Sequence, residues 1–208
     1  MNDNDASTVQ PESAAQLKKQ IRKTYRQRRN ALSIEQQALA QQALLKQFLS
    51  IPECKSCDCL GAFLPNDGEI SPVDIIQHCW SHKKLVALPV VSPEQQNIMV
   101  FHQYHADTHM LANRFGILEP ESSLESRVSL DMLSHLIMPL VAFDATGNRL
   151  GMGGGYYDRA IAAVPAEQRP MLIGVAHDEQ ESTQLPTEPW DIPLDLIITP
   201  SRVIVPAD

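Results

Sequence analysis

An unbroken apolar run at 136–143 is followed by Asn148-Arg-Leu-Gly-Met-Gly-Gly-Gly-Tyr-Tyr-Asp-Arg159, and then by a helical stretch. Of the 9 glycines in 208 residues, four are Gly151, Gly153, Gly154 and Gly155. The apolar run predicts a strand buried on both faces. A helix is predicted from near Tyr157 to about Val164. The glycines between them leave bare backbone at the strand's carboxyl end, where α/β sheets bind their ligands. Such backbone lets N–H groups approach a ligand closely and permits positive φ. One or two glycines would suit a turn that only relieves crowding, but four in five positions flanked by Arg149 and Asp158 suit a ligand loop better. A cation and a carboxylate beside exposed N–H groups are the parts of a phosphate-chain site with Mg²⁺.

The rest of the chain alternates helices and strands. Residues 14–30 read as a helix rich in Lys and Arg, with Leu17, Ile21, Thr24 and Tyr25 on one side. Ser33 and Gln36 form a capping box for a second helix that runs to about Ser50 and ends at Pro52. A strand is predicted at 59–64, and Pro65-Asn-Asp-Gly68 is a turn. Ser71 reads as an N-cap with Pro72 at the first position of a helix to about His82. Strands follow at 85–91 and 98–101, then a long, partly ordered connection over 105–130. Beyond the glycine loop, 171–176 and 194–199 read as strands. This alternation predicts an α/β, three-layer sandwich, a largely parallel central sheet flanked by helices. Residues 1–13 read as a polar, mobile tail, and 14–208 as a single domain.

Net charge is −8, which argues against a nucleic-acid partner. The chain shows no run long enough to span a membrane and no signal-peptide pattern, so a cytoplasmic protein is expected. Cys54, Cys57 and Cys59 would need a fourth ligand for zinc; Cys79 and His78 are available, but their spacing fits no zinc pattern. Free thiols are therefore expected. His102, His105 and His109 read as surface histidines, Trp190 as a packing residue, and His177 is left unassigned. The basic run from Lys18 to Arg29 reads mostly as a solvated helix face.

Two common phosphate motifs fail. No Gly-Lys pair exists for a P-loop, and the third glycine of a dinucleotide fingerprint would fall on Tyr156. The residues alone leave open an α/β enzyme for another phosphorylated metabolite or CoA, and a nucleic-acid module built on the basic helix.

The segment from Pro139 to Arg159, Pro-Leu-Val-Ala-Phe-Asp-Ala-Thr-Gly-Asn-Arg-Leu-Gly-Met-Gly-Gly-Gly-Tyr-Tyr-Asp-Arg, resembles the signature of the 5-formyltetrahydrofolate cyclo-ligase family, also called methenyltetrahydrofolate synthetases. Lys18, Arg22, Arg28-Arg29 and Leu32-Ser33 resemble its opening helix; Phe63-Leu64 and Glu69 its first strand and substrate turn. Gly116-Ile-Leu-Glu-Pro120 resembles its middle segment, and Gln180, Leu185-Pro186, Asp191 and Asp195-Leu-Ile-Ile-Thr-Pro200 its C-terminal end.

The resemblance implies a fold like that of sugar-phosphate isomerases and CoA transferases. It also implies ATP- and Mg²⁺-dependent closure of 5-formyltetrahydrofolate to the 5,10-methenyl compound, by a monomer, on mono- or polyglutamylated substrate. Arg149 and Tyr157 would be catalytic. Lys18, Arg22, Arg149, Leu150, Gly151, Met152, Gly153, Gly154, Gly155, Tyr156 and Tyr157 would bind ATP. Leu64, Glu69, Met152, Gly153, Gly154, Gly155 and Tyr156 would bind the folate, and Asp158 and Asp191 the metal. Met152 and Gly154 stand where some relatives carry a basic residue, so charge compensation would fall on Arg149, Lys18, Arg22 and the metal.

Overall fold

The computed structural model describes residues 13–91, 98–114, 116–121 and 123–207. The expectation of a mobile tail lies outside the described residues except at Ser13, which instead caps a helix. Helix α1 (Ala14–Asn30) opens on a capping box in which the Ser13 hydroxyl accepts from Gln16 N–H at 3.3 Å and the Gln16 side chain accepts from Ser13 N–H at 3.0 Å. Helix α2 (Ile34–Ser50) opens on the expected box between Ser33 and Gln36. Pro52 does more than end α2. It occupies the first turn of a short helix α3 (Pro52–Lys55), where its missing N–H costs nothing.

Strand β1 (Cys59–Gly61) leads through the 65–68 turn to α4 (Val73–Ser81) and β2 (Leu85–Val91). The α4 start differs by one residue from expectation: Pro72 precedes the helix, and the Ser71 hydroxyl accepts from Val73 N–H at 3.3 Å. Strand β3 is Met99–Gln103. The 105–130 connection contains a hairpin of β4 (Met110–Ala112) and β5 (Leu118–Pro120), then β6 (Arg127–Val128).

The apolar run at 136–143 is not one strand. It divides into β7 (His135–Pro139) and β8 (Ala142–Phe143), and β8 pairs with β9 (Arg149–Leu150) in a separate hairpin. The break falls at Leu140, whose carbonyl accepts from the Arg29 guanidinium and the Gln180 amide rather than from a neighbouring strand. Helix α5 (Tyr156–Ala162), β10 (Met171–Val175), β11 (Leu196–Ile198) and β12 (Val203–Ile204) complete the chain.

Eight strands among the described residues form one mixed sheet in the order β12-β11-β10-β7-β1-β2-β3-β6. The five central strands, β11 to β2, are parallel, and the edges are antiparallel. Alternation along the parallel strands divides their side chains between two faces. Val86, Leu88, Ile137, Ile173, Val175, Leu196 and Ile198 pack in one cluster with Leu44 and Phe48 of α2 and Ile75 and Ile76 of α4. Ala87, Leu136, Met138, Leu172 and Ile197 pack in another with Ile161 of α5. Phe48 is 1% exposed. Phe48→Ala is therefore expected to cost about 3–5 kcal/mol, read from urea unfolding.

From β1 the chain moves to β2 on one side and later returns to β7 on the other. The carboxyl ends of β1 and β7 thus flank a topological switch point, where open α/β sheets form their ligand crevice.

No helix among the described residues is long and apolar enough to cross a membrane. All four cysteines are free, and Cys54, Cys57 and Cys79 are buried. His102 departs from its surface expectation: it is buried and shares a 2.9 Å hydrogen bond with Ser126.

Candidate functional site

A cavity of about 920 Å³ opens at this switch point. Phe63 and Leu64 reach it from the segment after β1, Leu88 and Pro89 from β2, and Pro139 and Leu140 from the end of β7. The glycine loop, both flanking charges, and Lys18, Arg22, Glu69 and Asp191 line the same space. Sequence positions from 18 to 191 converge there because parallel strands deliver their carboxyl ends to one edge.

The β8–β9 hairpin carries Arg149 into the cavity ahead of the loop. Its side chain is 7% exposed; it donates to the Ile192 carbonyl and pairs with the Asp158 carboxylate. From α1, Arg22 Nε donates to the Gly151 carbonyl at 2.8 Å. Burial lowers the Arg22 pKa, and the nearby Asp191 opposes that shift. One turn away on α1, Lys18 Nζ lies 3.4 Å from Glu188 and 3.6 Å from Asp191. Asp191 in turn accepts from Glu188 N–H at 2.8 Å. Three cations and two of the predicted carboxylates are thus assembled around one loop.

The loop needs glycine at two positions in particular. Gly153 has φ +97°, and a Cβ there would sit 3.3 Å from the Arg22 guanidinium. Gly155 precedes α5 with φ +63°, and a Cβ would meet Arg159 at 2.9 Å. Both conformations are ones that L side chains rarely adopt. Met152, 54% exposed, is presented at the cavity. The Tyr156 hydroxyl accepts from Arg114 at 2.8 Å, and Arg159 lies over its ring at 5.6 Å.

Glu69 is a largely buried acid of the cavity, its side chain 14% exposed. Burial pushes its carboxyl up to about 7, against the Arg29 charge and a 3.1 Å hydrogen bond from Asn66 N–H. Asp67 adds to the upward push. Burial and then the Glu69 charge raise the Tyr157 phenol well above its ordinary range, with Arg149 opposing, so the phenol is a proton-bearing donor at neutral pH.

Every site residue read from the sequence lines this cavity. Several cavity residues were not singled out. Glu188 pairs with Lys18, and Glu119 is buried with hydrogen bonds from Val91 N–H and Asn113. Trp190 is 67% exposed at the cavity rather than packed. Arg29 is fully buried, unlike the rest of its basic run. Only the Asn-Asp-Gly turn signal lay near Arg29's partners; the other residues carry no pattern of their own.

A mostly parallel sheet with a deep cleft at its switch point, cations gathered on a glycine loop and a buried acid within reach of the same space defines an α/β protein built to hold a polar ligand. The chain belongs to the 5-formyltetrahydrofolate cyclo-ligase family, whose sequence model matches residues 14–200. It is 39% identical over 178 residues to the 5-formyltetrahydrofolate cyclo-ligase of Escherichia coli K12, covering 86% of this chain and 97% of that one. The Haemophilus influenzae 5-formyltetrahydrofolate cyclo-ligase is 39% identical over 184 residues, covering 88% and 98%. The NMR structure of Aquifex aeolicus 5,10-methenyltetrahydrofolate synthetase superposes with a TM-score of 0.79 at 30% identity, covering 92% and 94%.

Proposed function

We propose that this chain catalyses the ATP-dependent conversion of 5-formyltetrahydrofolate to 5,10-methenyltetrahydrofolate, with release of ADP and phosphate. It is a ligase of one-carbon metabolism. The observation that carries the reading is the convergence of Lys18, Arg22, Arg149 and Asp158 on the glycine loop, in one cavity with Glu69.

The formyl group on N5 is an amide, so its carbon is a poor electrophile and its oxygen a poor leaving group. Transfer of the γ-phosphoryl of ATP to that oxygen makes an iminium phosphate. N10 then attacks the carbon and gives up its proton, the ring closes, and phosphate departs. The protein's contribution to such a transfer is positioning and charge compensation. In this reading Lys18, Arg22 and the 150–157 segment hold ATP, and Arg149 meets the developing negative charge. The Tyr157 O–H donates toward the reacting phosphoryl or formyl oxygen. Leu64, Tyr156 and the 152–155 loop contact the folate, whose pterin N–H groups donate to Glu69.

Asp158 and Asp191 are the hard oxygen donors that suit Mg²⁺, and both line the cavity. Among the described residues no three His, Cys, Asp or Glu side chains form a metal-binding group. That donor set fits an ion that keeps several waters and takes phosphate oxygens as further ligands. Bound there, Mg²⁺ would neutralise phosphate charge.

The same reading treats 14–208 as a single cyclo-ligase domain acting as a cytoplasmic monomer. Helices on both faces of the sheet support a three-layer sandwich of the sugar-phosphate isomerase and CoA-transferase kind. The test is direct: the protein is mixed with 5-formyltetrahydrofolate and MgATP, and the absorbance of the methenyl product is followed. Product is expected only with both ATP and Mg²⁺. Its absence with folded protein, or equal product without ATP, would overturn the reading. Gly153→Ala is expected to raise the KM for ATP about tenfold or more by straining the loop against Arg22. A wild-type KM for ATP would show that the loop conformation is not needed.

A further inference from the structure

Arg29 sits in the last turn of α1, where Arg26 and Arg28 beside it are exposed, yet its own side chain is 0% exposed. Each of its three guanidinium nitrogens is engaged. Nε donates to the Asp67 carbonyl at 2.8 Å, NH1 to the Leu140 carbonyl at 3.1 Å, and NH2 to Asp67 Oδ2 at 2.8 Å. NH2 also lies 3.8 Å from Glu69 Oε1. One side chain thereby ties α1, the 66–69 turn after β1, and the end of β7 together.

The turn it grips is not a relaxed one. Asp67 has φ +50° and Gly68 φ +73°, so a non-glycine residue is held in the left-handed region. The Asp67 carboxylate is fixed there by Arg26, Arg29 and Asn30. The Leu140 carbonyl is gripped a second time by Gln180 at 2.7 Å. A buried ion of this kind is weak evidence for stability, because its desolvation offsets much of its attraction. Its fork geometry, which fixes three segments against one another, gives it a reason to be there.

We propose that Arg29 is a positioning residue for the folate subsite: it clamps the 66–69 turn to the end of β7, aims the Glu69 carboxylate into the cavity and supplies the positive charge that carboxylate faces. The proposal rests on the reading of Glu69 as a folate contact. The groups facing Glu69 are Arg29 from α1, Asn66 N–H and Asp67 from its own turn, and Tyr157 from α5. Of these, Arg29 is the cation that favours the ionised form, and Asp67 opposes it. His177, after β10, also feels the Arg29 charge, and burial keeps its imidazole below the usual range.

The experiment uses Arg29→Lys, which keeps the charge but loses the fork, and Arg29→Gln, which loses both. KM is measured separately for 5-formyltetrahydrofolate and MgATP, and the Glu69 carboxyl is titrated by carbon NMR, with Glu69→Gln assigning its signal. Arg29→Lys is expected to raise the folate KM about tenfold and to leave the ATP KM within about twofold. Arg29→Gln is expected to raise the folate KM at least as much and to move the Glu69 titration up by about one unit. If Arg29→Gln does not fold, Arg29→Lys decides. A wild-type folate KM in Arg29→Lys, or an equal rise in both KM values, would overturn the proposal. An unmoved Glu69 titration in folded Arg29→Gln would do the same. The underlying reading fails separately: Glu69→Gln with a wild-type folate KM would remove Glu69 as a folate contact. A raised KM in Glu69→Gln beside an unchanged one in Arg29→Lys would remove only the role given to Arg29.

Discussion

Asp158→Asn is expected to lower kcat by about 100-fold or more while moving the melting temperature by no more than roughly 3 °C. The two effects separate because the substitution changes charge and little else. Asp158 is the first-turn carboxylate of α5, and its Oδ1 accepts from Arg149. An Asn carbonyl can accept the same N–H, so the Arg149 side chain keeps its second anchor, the Ile192 carbonyl, and its place in the cavity. What disappears is the negative charge that balances Arg149 and serves as a hard oxygen ligand for Mg²⁺. With Asp158 side chain 28% exposed, the stability worth of the pair is that of a partly solvated bridge, about 1 kcal/mol. The loss in turnover should be accompanied by a Mg²⁺ activation curve displaced to higher concentration. Wild-type turnover, or an unmoved Mg²⁺ curve, would take Asp158 out of the metal site.

The residues behind this prediction were legible in the sequence because they sit in one contiguous motif. Arg149, the four glycines and Asp158 fall within ten positions, and local spacing alone marks them as a unit. The flanking elements were legible as well, since Ser33 and Gln36 announce a helix and the apolar run at 85–91 announces a strand. Long-range pairing was not. The run at 136–143 looks like one strand because apolar periodicity cannot register that Arg29 and Gln180 capture the Leu140 carbonyl. Arg29 itself looks like one more solvated cation until the 66–69 turn, 38 residues away from it in the Asp67 contact, folds over it. Glu188 carries no signal and Trp190 reads as packing for the same reason: their meaning comes from α1 and the cavity, not from their neighbours in the chain.

Glu69→Gln should lower kcat/KM for the folate by about 100-fold at pH 8, through the loss of charge-assisted acceptance from the pterin N–H groups. It should also remove a pH dependence. In the wild type, burial holds the Glu69 carboxyl up to about 7, above the ordinary 4.5. Folate kcat/KM is therefore expected to rise with pH through about 7 as Glu69 ionises, and to be flat there in Glu69→Gln. Stability runs the opposite way. Below the unfolded value both states hold the proton, and the full contribution of Glu69 is present. Between 4.5 and about 7 the unfolded chain has released a proton that the native protein retains, so stability falls as pH rises and levels off above about 7. The whole loss is about 3 kcal/mol, from a shift of between two and three units at 1.36 kcal/mol each. Glu69→Gln carries no such proton, so urea midpoints taken from pH 4.5 to 8 should lose this slope, and the variant should gain on the wild type as pH rises. A catalyst that is less stable where it is more active is what a buried acid kept for recognition produces. An inflection in kcat/KM near 7 that survives in Glu69→Gln would assign that titration to another group and detach Glu69 from the folate.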